Sequence, residues 1–333
     1  MITAKPASEL QDGVGILSVI GKTPIIRLSR LSKKFGLDVH AKLELLNPSG
    51  SIKDRAALRM LSCAIADGRV GAGTTIIESS SGNLGVGLAQ FCRYHQLRFI
   101  CVVDPMATQP NLALIKAYGA EIDMVGAVAA AEGGYLQQRI ARVQALLASI
   151  PDSYWPNQYA NPENPNSYMD FMDDVVRAFG ATGPDYLFIA ASSCGTLRGC
   201  SEYIKQHQLQ TRIVAVDAVG SVLYGSAGTR RLIPGHGAGR VPELFSPSLA
   251  DDSIQISERD SIQGCRDLME HEAILAGGSS GAIVAAIEHK RGTLRPGASC
   301  LVILADRGDR YIDTIYSDRW VAEHFTGEVT IAT

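Results

Sequence analysis

The residue on which chemistry can be hung is Lys53, in the stretch Asn47-Pro48-Ser49-Gly50-Ser51-Ile52-Lys53-Asp54-Arg55. A turn made by Pro48 and Gly50 runs into a helix that carries this lysine in its first turn. A lysine amine is normally protonated near neutral pH and is a poor nucleophile. Desolvation or a neighbouring cation lowers its pKa, and imine formation then ties it to a carbonyl. Lys53 is therefore read as the covalent anchor of an aldehyde cofactor, with Ser49 and Ser51 as caps for the backbone donors of that helix start. On its own, one of 31 Lys and Arg residues would be expected to sit in water. The turns further along the chain change that expectation.

Small residues fill the turns Ser79 to Asn83, Ser192 to Thr196 and Gly277 to Gly281, each between a strand-like and a helix-like segment. Such a turn bares the N–H groups of a helix start, where the dipole favours an anion. A nicotinamide enzyme is the rival, because Gly82-Asn83-Leu84-Gly85-Val86-Gly87 is glycine-rich. Its order is G-x-x-G-x-G, whereas the pyrophosphate turn needs G-x-G-x-x-G. Asp217 is read as a strand-end acid rather than a ribose ligand.

The elements that must position these turns alternate along the chain. Val39, Ala41, Leu43 and Leu45 alternate with His40, Lys42 and Glu44, which predicts a strand leading into the lysine turn and a helix from Ile52 to Asp67. Strands are predicted over Thr74–Glu78, Arg98–Val103, Glu121–Val125, Tyr186–Ala191, Arg212–Asp217, Ser253–Ser257 and Ser299–Leu304. Helices are predicted over Leu84–Tyr94, up to Lys116, over Gly133–Ser149, from about Tyr168, from Gly195 to about His207, over Asp260–Glu272 and from Gly281 to His289. Strands and helices in this order imply α/β architecture with parallel sheets covered by helices. The Pro-, Asn- and Tyr-rich stretch from Pro151 to Asn166 suits a crossing between lobes. The expected division is a smaller mobile lobe over 46–150, a larger cofactor-binding lobe from 1–45 plus 151–325, and a tail over 326–333. The irregular run from Gly220 to Pro247 is long enough to be functional.

Composition narrows the classes. A chain of 333 residues, 46% hydrophobic and 20% charged, suits a globular enzyme. A net charge of −3 gives no field for nucleic acid or an anionic membrane, so neither is expected as a partner. The seven cysteines are scattered and include no C-x-x-C pair, which predicts neither a disulfide framework nor a metal site. With no membrane-length apolar run and no secretion signal at the start, a cytoplasmic protein is expected.

With these motifs in view, together with Gly195-Thr196-Leu197 and Gly278-Ser279-Ser280-Gly281, the chain resembles the cysteine synthase and cystathionine β-synthase family of pyridoxal-phosphate (PLP) enzymes along essentially its whole length. The resemblance implies the two-lobed fold type II, like the tryptophan synthase β-subunit, and a homodimer acting on small amino acids. It implies that Lys53 is the Schiff-base lysine and that Asn83 hydrogen-bonds the cofactor ring oxygen. Ser80, Ser81 and Gly82 correspond to the loop around the substrate α-carboxylate, and Gln158 to a glutamine near it. Ser192, Ser193, Cys194, Gly195 and Thr196 correspond to the phosphate loop, and Ser279 to the serine facing the pyridine nitrogen. A serine there makes the ring a milder electron sink than an aspartate would, favouring β-elimination.

Narrower stretches, among them Gly133 to Leu136, Tyr154 to Asn161, Ala238 to Glu243 and Asp306 to Tyr311, resemble a branch making a diaminopropionate precursor of a siderophore. Departures from the cysteine synthase pattern point the same way. Arg240 stands where that subgroup has an aromatic residue, and Tyr159 where it tends to have phenylalanine. An added guanidinium suits a dianionic leaving group or a dicarboxylate nucleophile, which favours O-phospho-L-serine plus L-glutamate. Arg240 could equally pair with Glu243, and Tyr159 could be packing. His236 is a weaker candidate for the second substrate, Cys194 is read as a small filler, and the Asp306–Arg310 cluster as a loop-fixing ion-pair network. The rivals are a cysteine synthase using sulfide and a regulatory protein that binds the cofactor without turnover.

Overall fold

A computed structural model describes residues 15–126, 134–225 and 228–325. The first glycine of the predicted 133–149 helix and the 326–333 tail lie outside them. The chain divides into two compact units, one built from the chain up to Lys22 with Asn47–Ser167, the other from Thr23–Leu46 with the chain from Tyr168 onward.

In the first unit, β3 (Thr75–Ser79), β4 (Arg98–Val103), β5 (Glu121–Met124) and β6 (Ser153–Tyr154) form a parallel sheet in the order β5-β4-β3-β6. Its helices are α2 (Lys53–Ala66), α3 (Asn83–His95), α4 (Gln109–Ala117), α5 (Gly134–Ser149) and the short α6 (Glu163–Asn166). Successive strand residues face opposite ways. Ile76, Phe99, Cys101 and Val103 therefore pack with Met60, Leu61, Phe91 and Ile115 of α2, α3 and α4. Ile77, Ile100 and Val102 pack with Val143 and Leu146 of α5 on the other face. Being apolar on both faces, β4 reads as an unbroken apolar run from Phe99 to Val103. The two-residue β6 is too short to leave any period in the sequence.

The second unit holds a sheet in the order β1-β2-β10-β7-β8-β9, where β1 (Ile25–Arg27) is antiparallel to β2 (Asp38–Lys42) and the others are parallel. The remaining strands are β7 (Tyr186–Ala190), β8 (Arg212–Ala218), β9 (Asp252–Ile256) and β10 (Ser299–Ile303). The helices are α1 (Ser29–Phe35), α7 (Met169–Phe179), α8 (Gly195–Gln206), α9 (Glu258–Glu272), α10 (Gly278–Lys290) and α11 (Asp318–His324). Helices α9 and α10 meet backbone to backbone: a Cβ on Gly264 would stand 2.0 Å from Gly281 O, and one on Gly281 would stand 2.1 Å from Ser261 O.

The strand expected to run to Leu45 stops at Lys42, and Glu44–Leu46 forms a 3-10 turn instead. The cause is polar. Glu44 is fully buried and accepts the Thr23 hydroxyl at 2.7 Å, which turns the chain where alternation alone would have continued it. Lys42 is buried too, and its Nζ donates to Thr23 O at 2.6 Å and to Asp174 of α7 at 2.7 Å.

Candidate active site

Lys53 is the first residue of α2, with Ile52 at the cap position, and its N–H donates to Ser51 Oγ at 3.2 Å, so Ser51 meets a backbone donor at the helix start. Ser49 does not cap: its N–H donates to Asp54 Oδ2 at 2.7 Å and its hydroxyl to Asp54 Oδ1. Gly50 takes φ +91°, a conformation only glycine adopts cheaply, and that sharpness brings Ser49 back onto the helix. Asn47 Oδ1 accepts the Gly21 N–H and Arg55 donates to Gly21 O, both at 2.7 Å, so the turn is pinned from either side of the lysine.

The turn after β3 begins with Ser80, which is buried. Its N–H donates to Val102 O at 3.2 Å and its Oγ accepts the Gly85 N–H at 2.9 Å, closing the turn. Ser81, Gly82 and Asn83 are half-buried at the start of α3. The glycines that mimic a dinucleotide motif have packing duties. A Cβ on Gly85 would stand 2.6 Å from Ser80 O, and one on Gly87 would press on Ala57 of α2 at 3.3 Å.

Three residues of this unit escaped the sequence reading. Arg139 of α5, with its side chain only 11% exposed, lies 3.0 Å from Asp104 and 3.5 Å from the Ser81 hydroxyl. Its signal was a charge at the spacing of the apolar stripe Leu136, Ile140 and Val143. Glu78, the acid at the end of the apolar run Thr-Ile-Ile-Glu, is fully buried, and burial pushes its carboxyl up to about 7 against the pull of its hydrogen-bond donors. Asp54 is the third. Gln158 is buried, its N–H reaching Glu78 at 3.3 Å and its O accepting Asn164 Nδ2 at 2.7 Å. Tyr159 is half-buried, and desolvation raises its phenol above the usual range, opposed by the field of Arg139.

In the second unit the turn from Ser192 enters α8. Cys194 caps it at φ +64°, and Arg198 N donates to Cys194 O at 2.9 Å in the first intrahelical bond. The N–H groups of Gly195, Thr196 and Leu197 precede that bond, so the helix itself supplies them no partner. Segment 235–237 is stitched to the turn: Gly237 N donates to Ala191 O at 2.6 Å and Ser192 Oγ to Gly237 O at 3.1 Å. Gly235 takes φ +105°, and a Cβ there would stand 3.5 Å from the hydroxyl of buried Ser279, near the start of α10.

Cys194 is buried, as a filler should be, and its Sγ leans on Ser192 O at 3.4 Å. His236 is buried, and neither ring nitrogen has a hydrogen-bond partner among the described residues; burial first, then Arg231, pushes it down to about 4, so it is neutral at pH 7. Arg240 is exposed, and among the described residues no acid pairs with it. In the 306–310 cluster the Asp306 carboxylate accepts the Tyr311 hydroxyl at 2.6 Å, and the Asp306 backbone carbonyl accepts the Gly277 N–H at 3.0 Å, so this residue ties the turn before α10 to Tyr311.

Taken separately, each unit carries groups whose chemistry suits a phosphorylated aldehyde: the second a small-residue helix start for a dianion, the first an amine at a braced turn. Residues 16–306 match the family described as pyridoxal-phosphate dependent enzymes, so the chain belongs to that family and its cofactor is pyridoxal 5′-phosphate. It is 44% identical over 308 residues to an N-(2-amino-2-carboxyethyl)-L-glutamate synthase of Ralstonia nicotianae, covering 92% of this chain and 90% of that one. Among solved structures it is similar to an O-acetylserine-dependent cystathionine β-synthase from Helicobacter pylori (TM-score 0.84, 30% identity, 91% and 99% of the two chains). An O-ureido-L-serine synthase also matches, with TM-score 0.83, 28% identity and 94% and 96% of the chains covered.

Proposed function

We propose that this enzyme carries out a β-replacement that joins O-phospho-L-serine to the amino group of L-glutamate, releasing phosphate and giving N-(2-amino-2-carboxyethyl)-L-glutamate. The observation that carries this reading is the 44% identity, over nine-tenths of both chains, to a synthase named for that product. Arg139, which lies between Asp104 and Ser81, and the exposed Arg240, which pairs with no acid among the described residues, add cationic groups suited to a doubly charged phosphate and a dicarboxylate.

In this reading Lys53 anchors the cofactor, Asn83 meets its ring oxygen, Ser192 to Thr196 take its phosphate, and Ser279 faces its ring nitrogen. Bound there, PLP supplies an electron sink for the charge left at the substrate α-carbon. The Lys53 amine would take the proton from the substrate α-carbon and hand it back once the new bond has formed. Ser80, Ser81 and Gly82, with Gln158, orient the α-carboxylate, while Tyr159 and Arg139 face the phosphate. The Cβ–O bond to phosphate breaks, and a bond from the glutamate nitrogen to Cβ forms.

The product fits a diaminopropionate precursor for a siderophore. The family resemblance supports a homodimer. Seven free cysteines fit a reducing cytoplasm, and no helix among the described residues is long and apolar enough to cross a membrane. The deciding experiment supplies O-phospho-L-serine with either glutamate or sulfide and weighs the products by mass spectrometry. The glutamate adduct with phosphate release is expected. Equal or faster turnover with sulfide would return the enzyme to the cysteine synthases, and no turnover with either would favour a regulatory role.

A further inference from the structure

Glu78 is the penultimate residue of β3, just ahead of the 79–83 turn, and the hydrogen bonds it takes part in all come from donors. Its Oε1 accepts Trp155 Nε1–H at 2.9 Å and the Ser79 N–H at 2.8 Å, and Oε2 accepts the Gln158 N–H at 3.3 Å. The Asn157 N–H adds to the set, and Asn157 takes φ +51°, which lets two successive backbone N–H groups converge on one carboxylate. A buried carboxylate is costly to desolvate, and so many donors are more than is needed to end a strand. What they accomplish is to fasten segment 155–158 to the strand that carries the substrate turn.

We propose that Glu78 is a positioning residue for the β-replacement, setting the separation between the Ser80–Gly82 turn and the Gln158–Tyr159 pair that together receive the amino-acid substrate. This rests on the function proposed above. Tyr154 and Tyr159 from the fastened segment and Cys101 from β4 are the titratable groups in its field, and Arg139 and Asp104 act on Tyr159 in turn.

Glu78→Gln keeps the volume but replaces one acceptor oxygen with an NH2 group that faces N–H donors, so the segment must shift. The test uses the full-length holoenzyme carrying Trp320→Phe, which leaves Trp155 as its single tryptophan. Readouts are the Kd for O-phospho-L-serine from cofactor absorbance, kcat and KM, and Trp155 emission against pH. Losing a charge-assisted contact predicts a rise of about tenfold or more in Kd and KM, with a smaller change in kcat and an unchanged resting cofactor spectrum. Trp155 emission should titrate near neutral pH in the parent and stay flat in the Gln variant. A folded, cofactor-loaded Glu78→Gln enzyme with parental Kd and KM overturns the proposal, even if its melting temperature has dropped. Should that variant fail to fold, Trp155→Phe removes one donor and leaves the acid: a raised KM supports positioning, and an unchanged one overturns it. If the parent takes a different serine ester, the assigned substrate is wrong, yet the variant-to-parent ratio on that ester still judges Glu78.

Discussion

Asp54 accepts the backbone N–H of Ser49 at 2.7 Å and its hydroxyl as well, so the residue after Lys53 braces the turn before it. A carboxylate at this helix start is also favoured by the dipole. Removing it by Asp54→Ala leaves buried donors unmet at a cost of roughly 1–3 kcal/mol and loosens the lysine. Borohydride reduction followed by peptide mass analysis should place the label on Lys53 in full in the parent, in part in Asp54→Ala, and nowhere in Lys53→Ala. A label on another lysine would remove Lys53 from its role.

The raised carboxyl of Glu78 makes stability depend on pH. Its pKa rises from the ordinary value of 4.5 to about 7 on folding, so between those values the native state holds the proton that the unfolded chain has lost. The contribution is fully present below about 4.5 and is lost as pH rises through about 7, on the order of 3 kcal/mol for that difference. Chemical denaturation from pH 4.5 to 8 should show this decline in the parent and a flatter curve in Glu78→Gln. Parallel curves would mean the acid stays ionised throughout.

Gly235 should resist any side chain. Its φ of +105° strains alanine by roughly 1–2 kcal/mol, and relief of that strain would shift the segment that lies in contact with the Ser279 hydroxyl. Gly235→Ala should melt earlier and lose cofactor on dialysis faster than the parent. Full retention with an unchanged spectrum would place Ser279 away from the ring.

Lys42 is buried with Asp174 as its acid, so Asp174→Ala should cost about 3 kcal/mol, the lower end for a broken buried pair, because the aspartate side is partly exposed. Lys42→Met together with Asp174→Ala should recover most of that loss in urea unfolding. A double variant no better than the single would show that the lysine holds Thr23 more than it holds the acid.

The fold and the three small-residue turns were legible because both rest on local signals. The Arg98–Val103 run is a strand in the structure as in the sequence, and Lys53 begins its helix as Pro48 and Gly50 suggest. Ser49 was misjudged because a serine before a helix caps by default, and only the close return at Gly50 hands it to Asp54. Glu44 ends the β2 run by a contact with Thr23, 21 residues away, which no period announces. Glu78 and Arg139 were readable as charges set among apolar residues. Their partners, Trp155 and Asp104, come from distant segments and could not be paired without coordinates.

The crossing of α9 and α10 has a bearing on how this scaffold can diversify. Because Gly264 and Gly281 leave no clearance, the two helices behave as one part, and Ser279 rides on it two residues from the contact. Randomising either glycine should return glycine alone among working clones. New specificities on this frame would then have to arise in the loops, while the Ser279 hydroxyl, proposed above to face the ring, stays where the helix pair has put it.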